Sequence, residues 1–207
     1  MAHHIEKNDV FSYTGEKSKI WHGLGNRIEE GLDAMTAFKQ NGLDWATELL
    51  PVQYTDGDQV VDIPGHRMHV RADTKLQLGM VSSGYKPVDN IELAKFADAL
   101  AGEDAAINVS TCGSLYDCKR VYVLVKLPQV VRATQEDVSE QYVLLGNGHG
   151  GFASLSVYPT SIRVVCANTL RWSERDMGKG VSFRHTGDME AKIAAAKAIL
   201  GTAVRET

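Results

Sequence analysis

The chain has 207 residues, 43% hydrophobic and 23% charged, enough for one sizeable globular domain of ordinary composition. Its 22 Lys and Arg against 26 Asp and Glu give a net charge of -4, which argues against coating nucleic acid by bulk charge, and no apolar run approaches bilayer-spanning length. The three cysteines, odd in number and irregularly spaced, form no disulfide framework; with an N-terminus that lacks a basic region and apolar core, they point to a reducing cytoplasm.

Residues 1–28 lack clear periodicity and read as an extended lead-in that packs through Phe11, Tyr13, Trp21 and Leu24. Residues 29–207 read as a single domain. It opens with a helix whose apolar stripe is Leu32, Met35 and Phe38 and whose stop is Asn41-Gly42. "LDWATELLPVQY" is a predicted strand, "TDGD" a hairpin turn, and "VVDIPGHRMHV" and "KLQLGMVSSGYKPV" the next strands, the former broken at Pro64-Gly65. A second helix is predicted from Asp89, with Glu92 completing a capping box, Leu93, Phe96, Ala97 and Leu100 on one face, and Gly102 as its stop.

"AINVSTCGSLYDCKRVYVLVKLP" reads as a hairpin, and Cys112 and Cys118 as small, half-buried thiols near its turn. In its second arm Val121, Val123, Val125 and Leu127 alternate with Arg120, Tyr122, Leu124 and Lys126. The first set belongs to a core, and the second puts two bases and an aromatic ring on the other face. "QYVLLGNGHGGFASLSVYPTSIRVVC" supplies further strands around a glycine-rich turn at residues 146–151, with Ile162, Val164 and Cys166 sharing one strand face. A helix then opens, placing Arg171 and Arg175 on one face beside Trp172. "GDMEAKIAAAKAILG" is a helix with Met189, Ile193, Ala196 and Leu200 as its stripe. The pattern predicts an α+β fold with three helices and a mostly antiparallel sheet of hairpins.

Enzymatic motifs are scarce. "GNGHGG" lacks the Gly-Lys-Ser/Thr ending of a phosphate loop, and a glycine-rich hairpin explains it better. His66 and His69 are three apart on a presumed strand and so point to opposite faces, and no zinc spacing occurs. No Gly-x-Ser-x-Gly elbow is present, and His22, His149 and His185 are general-base candidates only in the loosest sense. No cofactor is implied.

Charge is unevenly spread. Acids dominate residues 1–62, whereas residues 119–132 hold only the bases Lys119, Arg120, Lys126 and Arg132. Between residues 163 and 184 the bases Arg163, Arg171, Arg175, Lys179 and Arg184 outnumber Glu174 and Asp176. A polarised surface can bind a polyanion locally. Tyr122 between Arg120 and Lys126, and Trp172 beside Arg171 and Arg175, mix cations for phosphates with rings for unpaired bases.

Six motifs in order, "WHGLG", "GLDW", "GYKPVDN", "CGSLYDCKRVYVLVKLP", "YVLLGNGHGG" and "SIRVVCANTL", resemble those of phage- and plasmid-encoded proteins that carry domain of unknown function 932. The resemblance runs from Trp21 to His185 and implies a mobile-element origin and a cytoplasmic location. Members often extend further C-terminally, so it also implies a short member or a chain trimmed at that end. The order of helix (32–42), tryptophan-bearing strand (43–54), hairpin (60–88) and helix (89–102) further resembles the β-β-β-α core of single-strand annealing recombinases of the RecT and Red-beta class. That likeness implies a ring or helical homo-oligomer holding single-stranded DNA in a basic groove, although the matching strand itself carries no base.

The leading expectation is therefore a non-enzymatic, homo-oligomeric protein that binds single-stranded DNA and promotes annealing. Lys119, Arg120, Lys126, Arg163, Arg171 and Arg175 would contact phosphates, and Tyr122 and Trp172 would stack or support the groove. One alternative is a metal-dependent nuclease or other phosphate-handling enzyme built on Asp56, Asp58 and the histidines. Another is a factor that binds a host defence protein through the acidic N-terminal third.

Overall fold

The computed structural model describes residues 4–17, 20–101, 108–132, 138–175, 180–188, 191 and 194–195. The expected stop at Gly102 and the alanine-rich helix built on Met189, Ile193, Ala196 and Leu200 lie outside these residues. Within them the fold is α+β with three helices and mostly antiparallel sheets.

The larger sheet has seven strands. In chain order they are β1 (Phe11–Tyr13), β2 (Asn26–Arg27), β6 (Asn108–Leu115), β7 (Arg120–Arg132), β8 (Val138–Gly148), β9 (Leu155–Thr160) and β10 (Val181–Phe183). Their spatial order is β10-β9-β8-β7-β6-β1-β2, so the N-terminal lead-in is itself two strands of this sheet. β1 lies antiparallel to β6, and β2 parallel to β1. Phe11 and Tyr13 are buried as expected of the lead-in, whereas Trp21 is 60% and Leu24 43% exposed. His22 holds the "WHGLG" loop, its Nε2 2.8 Å from the Val165 carbonyl while Nδ1 accepts from Leu24 N at 3.1 Å.

The smaller sheet is the meander β3 (Thr47–Asp56), β4 (Gln59–Arg71) and β5 (Gln77–Ser82). β4 passes through Pro64-Gly65 unbroken, because Gly65 takes a left-handed φ of 77° and the pairing register shifts there. Helix α1 (Ala34–Gln40) precedes this sheet, α2 (Asn90–Ala101) follows it, and α3 (Ala167–Arg175) follows β9. Asp33 caps α1 by accepting from Thr36 N at 2.5 Å, and Asp98 of α2 accepts from Ala34 N and Met35 N, which locks the two helices together. The expected capping box at Asp89 is not formed. Its carboxylate instead takes Thr47 N and Oγ1, tying α2 to the start of β3.

Both faces of the large sheet are buried, and this corrects the reading of β7. Val121, Val123 and Val125 join Phe38, Leu43, Leu93 and Phe96 beneath α1 and α2. On the other face Tyr122 and Leu124 join Phe11, Tyr13, Leu144, Val164 and Leu170 beneath α3 and the N-terminal segment. Period two identified β7 correctly as a strand, yet both of its sides face cores, because helices and loops from distant sequence cover each one.

Residues 161–166, expected to extend a strand, form a bend. Thr169 Oγ1 accepts from Val165 N at 2.9 Å and Cys166 N at 3.0 Å, and so starts α3 rather than letting the strand run on.

Candidate functional site

The eight residues singled out by sequence do not form one surface. Arg120 is 3% exposed and Tyr122 is fully buried. The Arg120 guanidinium donates to the Ser154 carbonyl at 2.8 Å and Ser156 Oγ at 2.6 Å, and pairs with Glu174 at 2.8 Å. Burial pulls its pKa down, and the Glu174 carboxylate works against that. Burial likewise pushes the Tyr122 phenol well up. A residue in such a place reaches no phosphate or base while the fold stays closed, so both are structural. Gly146 makes the arrangement feasible, since a Cβ there would lie 2.5 Å from Arg120 Nη2.

Lys126 pairs with Glu140 at 2.5 Å, six residues and on the order of 20 Å along β7 from Arg120. Arg163 is half-buried and donates from Nη2 to the Thr14 carbonyl at 2.6 Å, fastening the bend to the N-terminal segment. Arg171, Trp172 and Arg175 are exposed on α3, with Trp172 58% accessible. Lys119 is half-buried in the β6–β7 turn.

That turn has the most unusual backbone among the described residues. Tyr116, Asp117 and Cys118 have φ of 59°, 61° and 66°, three consecutive left-handed residues with side chains. Each conformation costs about 1–2 kcal/mol for an L-residue, so the surroundings must hold it. Asp9 is the clamp: its carboxylate accepts from Asp117 N at 3.0 Å and Cys118 N at 2.7 Å, and also from Glu6 N at 2.9 Å. Asn8 Nδ2 donates to Asp117 Oδ1, and the Cys118 thiol donates to the Asn8 carbonyl at 3.0 Å. Arg71 Nη1 completes the set, 3.3 Å from Cys118 Sγ. Burial raises the Cys118 pKa despite Arg71, so this is a protonated packing thiol. All three cysteines are free and buried.

The strained turn carries Tyr116 toward the surface. Its ring centroid is 4.9 Å from that of Phe152, which is 48% exposed, and Arg171 lies 5.7 Å above it. Arg175, one helical turn from Arg171, and Trp172 extend the patch along α3. Cations and open rings thus meet where two loops and a helix converge. Sequence reasoning found Arg171, Trp172 and Arg175 but missed Tyr116, Phe152 and Asp9, because no glycine marks a left-handed turn made by Tyr-Asp-Cys.

A second group of residues fills the junction between the sheets. The β4 residue His69 accepts from Gly150 N at 2.9 Å, and its ring lies 5.5 Å from that of His149 and 5.3 Å from that of Tyr85. Tyr85 stacks on His185 at 5.1 Å, while Trp45 packs on His149 at 4.9 Å and beneath Arg71 at 4.6 Å. His149 Nε2 is 2.8 Å from Asn90 Oδ1. Burial first, then His185, lowers the His69 pKa to about 4, and burial with the neighbouring imidazoles takes His149 well below its ordinary value. Both rings are neutral at pH 7.

Gly79 and Gly150 let the two backbones meet at this junction, since a Cβ at either would sit 2.3–2.4 Å from a carbonyl oxygen of the other loop. Gly146, Gly148 and Gly150 of "GNGHGG" therefore serve close packing, and β8 runs on to Gly148 before the turn begins. Among the described residues no three His, Cys, Asp or Glu side chains converge to hold a metal ion. Asp56 and Asp58 flank the exposed β3–β4 turn, away from the buried histidines.

Residues 77–207 match the family model described as Domain of unknown function (DUF932). The matched stretch begins at β5 and takes in the Tyr116 turn, Phe152 and α3. No curated protein and no solved structure matches the chain. Among the described residues no helix is long and apolar enough to cross a membrane.

Proposed function

The chain belongs to the family of domain of unknown function 932, a membership that assigns no chemistry, and we propose from its surface that it binds single-stranded DNA and promotes annealing. The observation that carries this reading is the contact series from exposed Phe152 through half-buried Tyr116 to exposed Arg171, continued along α3 by Trp172 and Arg175. Stacking on an aromatic ring contributes about 1–3 kcal/mol per base and is indifferent to sequence, and arginines supply the salt-sensitive phosphate contacts. The turn that presents Tyr116 is strained and clamped by Asp9, so the ring is positioned before any strand arrives. Annealing needs no hydrolysis of a nucleotide.

The test is binding of a fluorescent single-stranded oligonucleotide across a salt series. Arg171→Ala with Arg175→Ala should weaken binding and reduce the slope of log affinity against log salt by about 1.4, the value for two lost phosphate contacts on a single strand. Phe152→Ala should weaken binding with little change in slope. No binding at low salt, or a slope untouched by the arginine pair, would end this reading.

A further inference from the structure

The hairpin of β3 and β4 projects beyond its sheet. β5 pairs with β4 only from His66 to Val70, whereas β3 and β4 continue as two strands alone through Gln53–Asp62, Tyr54–Val61, Thr55–Val60 and Asp56–Gln59. Tyr54 and Val61 are directly paired and so share one side of the ribbon. Tyr54 is 50% exposed, and Val60 on the other side is 67% exposed. Among the described residues no third strand pairs with this part of the ribbon, and a two-stranded ribbon alone is marginal in water, so its exposed apolar residues offer a contact surface.

The charge on this ribbon indicates what it fits. Asp56, Asp58 and Asp62 are exposed around its tip, and no ion pair among the described residues involves them. Arg171 and Arg175 are likewise exposed outside any of those ion pairs, beside the open rings of Trp172 and Phe152. An acidic tip with a tyrosine therefore faces solvent from one sheet, and a basic aromatic patch from the other. Two ribbon tips would repel each other, which disfavours a symmetric contact between them.

We propose that the β3–β4 ribbon of one molecule docks on the α3 arginine patch of a second copy, so that copies join head to tail. Such a contact is heterologous and propagates into a ring or a filament. Exposed ion pairs contribute little singly, so the clustered charges act together on top of a small gain from burying Tyr54, and the association is weak and salt-sensitive. The inference shares its arginines with the DNA-binding reading, but it does not require that DNA bind. If both hold, a single strand competes with the ribbon for the patch.

The test is sedimentation velocity of the full chain without DNA, at low and high salt. Mass should rise with concentration at low salt and return to that of one molecule at high salt. Asp56→Asn with Asp58→Asn, and separately Arg171→Gln with Arg175→Gln, should each give single molecules that remain folded by circular dichroism. Mixed in equal amounts, the two variants should form a dimer of one copy each, because one intact ribbon and one intact patch remain. A wild-type chain that stays single at every concentration overturns the proposal, as does assembly that ignores either pair or a mixture that forms no dimer. Assembly without DNA binding would refute the DNA reading alone, and DNA binding without assembly would refute this one alone.

Discussion

Acid should loosen the junction between the two sheets, and His69 allows the size of the effect to be worked out. Its Nδ1 accepts from Gly150 N, so the ring must be neutral for that bond to exist. Its pKa is 6.5 when unfolded and about 4 when folded, so the folded state binds the proton more weakly than the unfolded one. The resulting stability is fully present above pH 6.5 and drains away as pH falls toward 4. The gap between the two values corresponds to about 3 kcal/mol at its limit, of which about 2 kcal/mol is lost between pH 7 and pH 5. His149, held neutral by burial, adds in the same direction.

His69→Asn places an uncharged amide where the imidazole accepts its bond. Urea denaturation of both proteins at pH 7 and pH 5 isolates the His69 contribution. Wild type should lose about 2 kcal/mol more than the variant over that interval. Equal losses would show that His69 titrates alike in the folded and unfolded chain, and would refute the account of the junction.

Arg120→Ala should destabilise the fold by about 3 kcal/mol, the low end for breaking a buried pair because Glu174 is partly solvated, and leave the DNA affinity of the folded fraction unchanged. Urea midpoints and oligonucleotide titration read the two effects separately. Gly57→Ala and Gly150→Ala compare sites with similar φ, 58° and 62°, but different space. At Gly57 nothing lies within 4 Å, so only the left-handed cost of about 1 kcal/mol applies. At Gly150 a Cβ would meet Leu78 O at 2.3 Å, and thermal denaturation should show a loss larger by roughly 1–3 kcal/mol. Asp9→Ala removes the acceptor for Asp117 N and Cys118 N, and hydrogen exchange at those two amides should accelerate at least tenfold while that of the β7–β8 amides holds.

Local patterning carried most of the elements. Period two marked β7, Asp-Gly marked the β3–β4 turn, and Asn41-Gly42 marked the end of α1, because each depends on a residue's own backbone preference or on its neighbours along the chain. The exposed part of the candidate site was legible for a similar reason, since Arg171 and Arg175 share a helix face by spacing alone. Burial was not. Arg120 and Tyr122 sit in a pattern indistinguishable from a solvated strand face, and only the arrival of α3, Ser154 and Phe11 from distant sequence encloses them.

The same limit applies to the turn and the junction. Three left-handed residues in Tyr116–Cys118 have no local preference behind them and persist through Asp9, more than a hundred positions away. His69 and His149 look unrelated along the chain, and the close approach of Gly79 to Gly150 brings their rings together. Sequence by itself determined the periodic elements and where the charges stand. Tertiary structure alone decided which charges meet water, because burial depends on contacts that the local pattern does not encode.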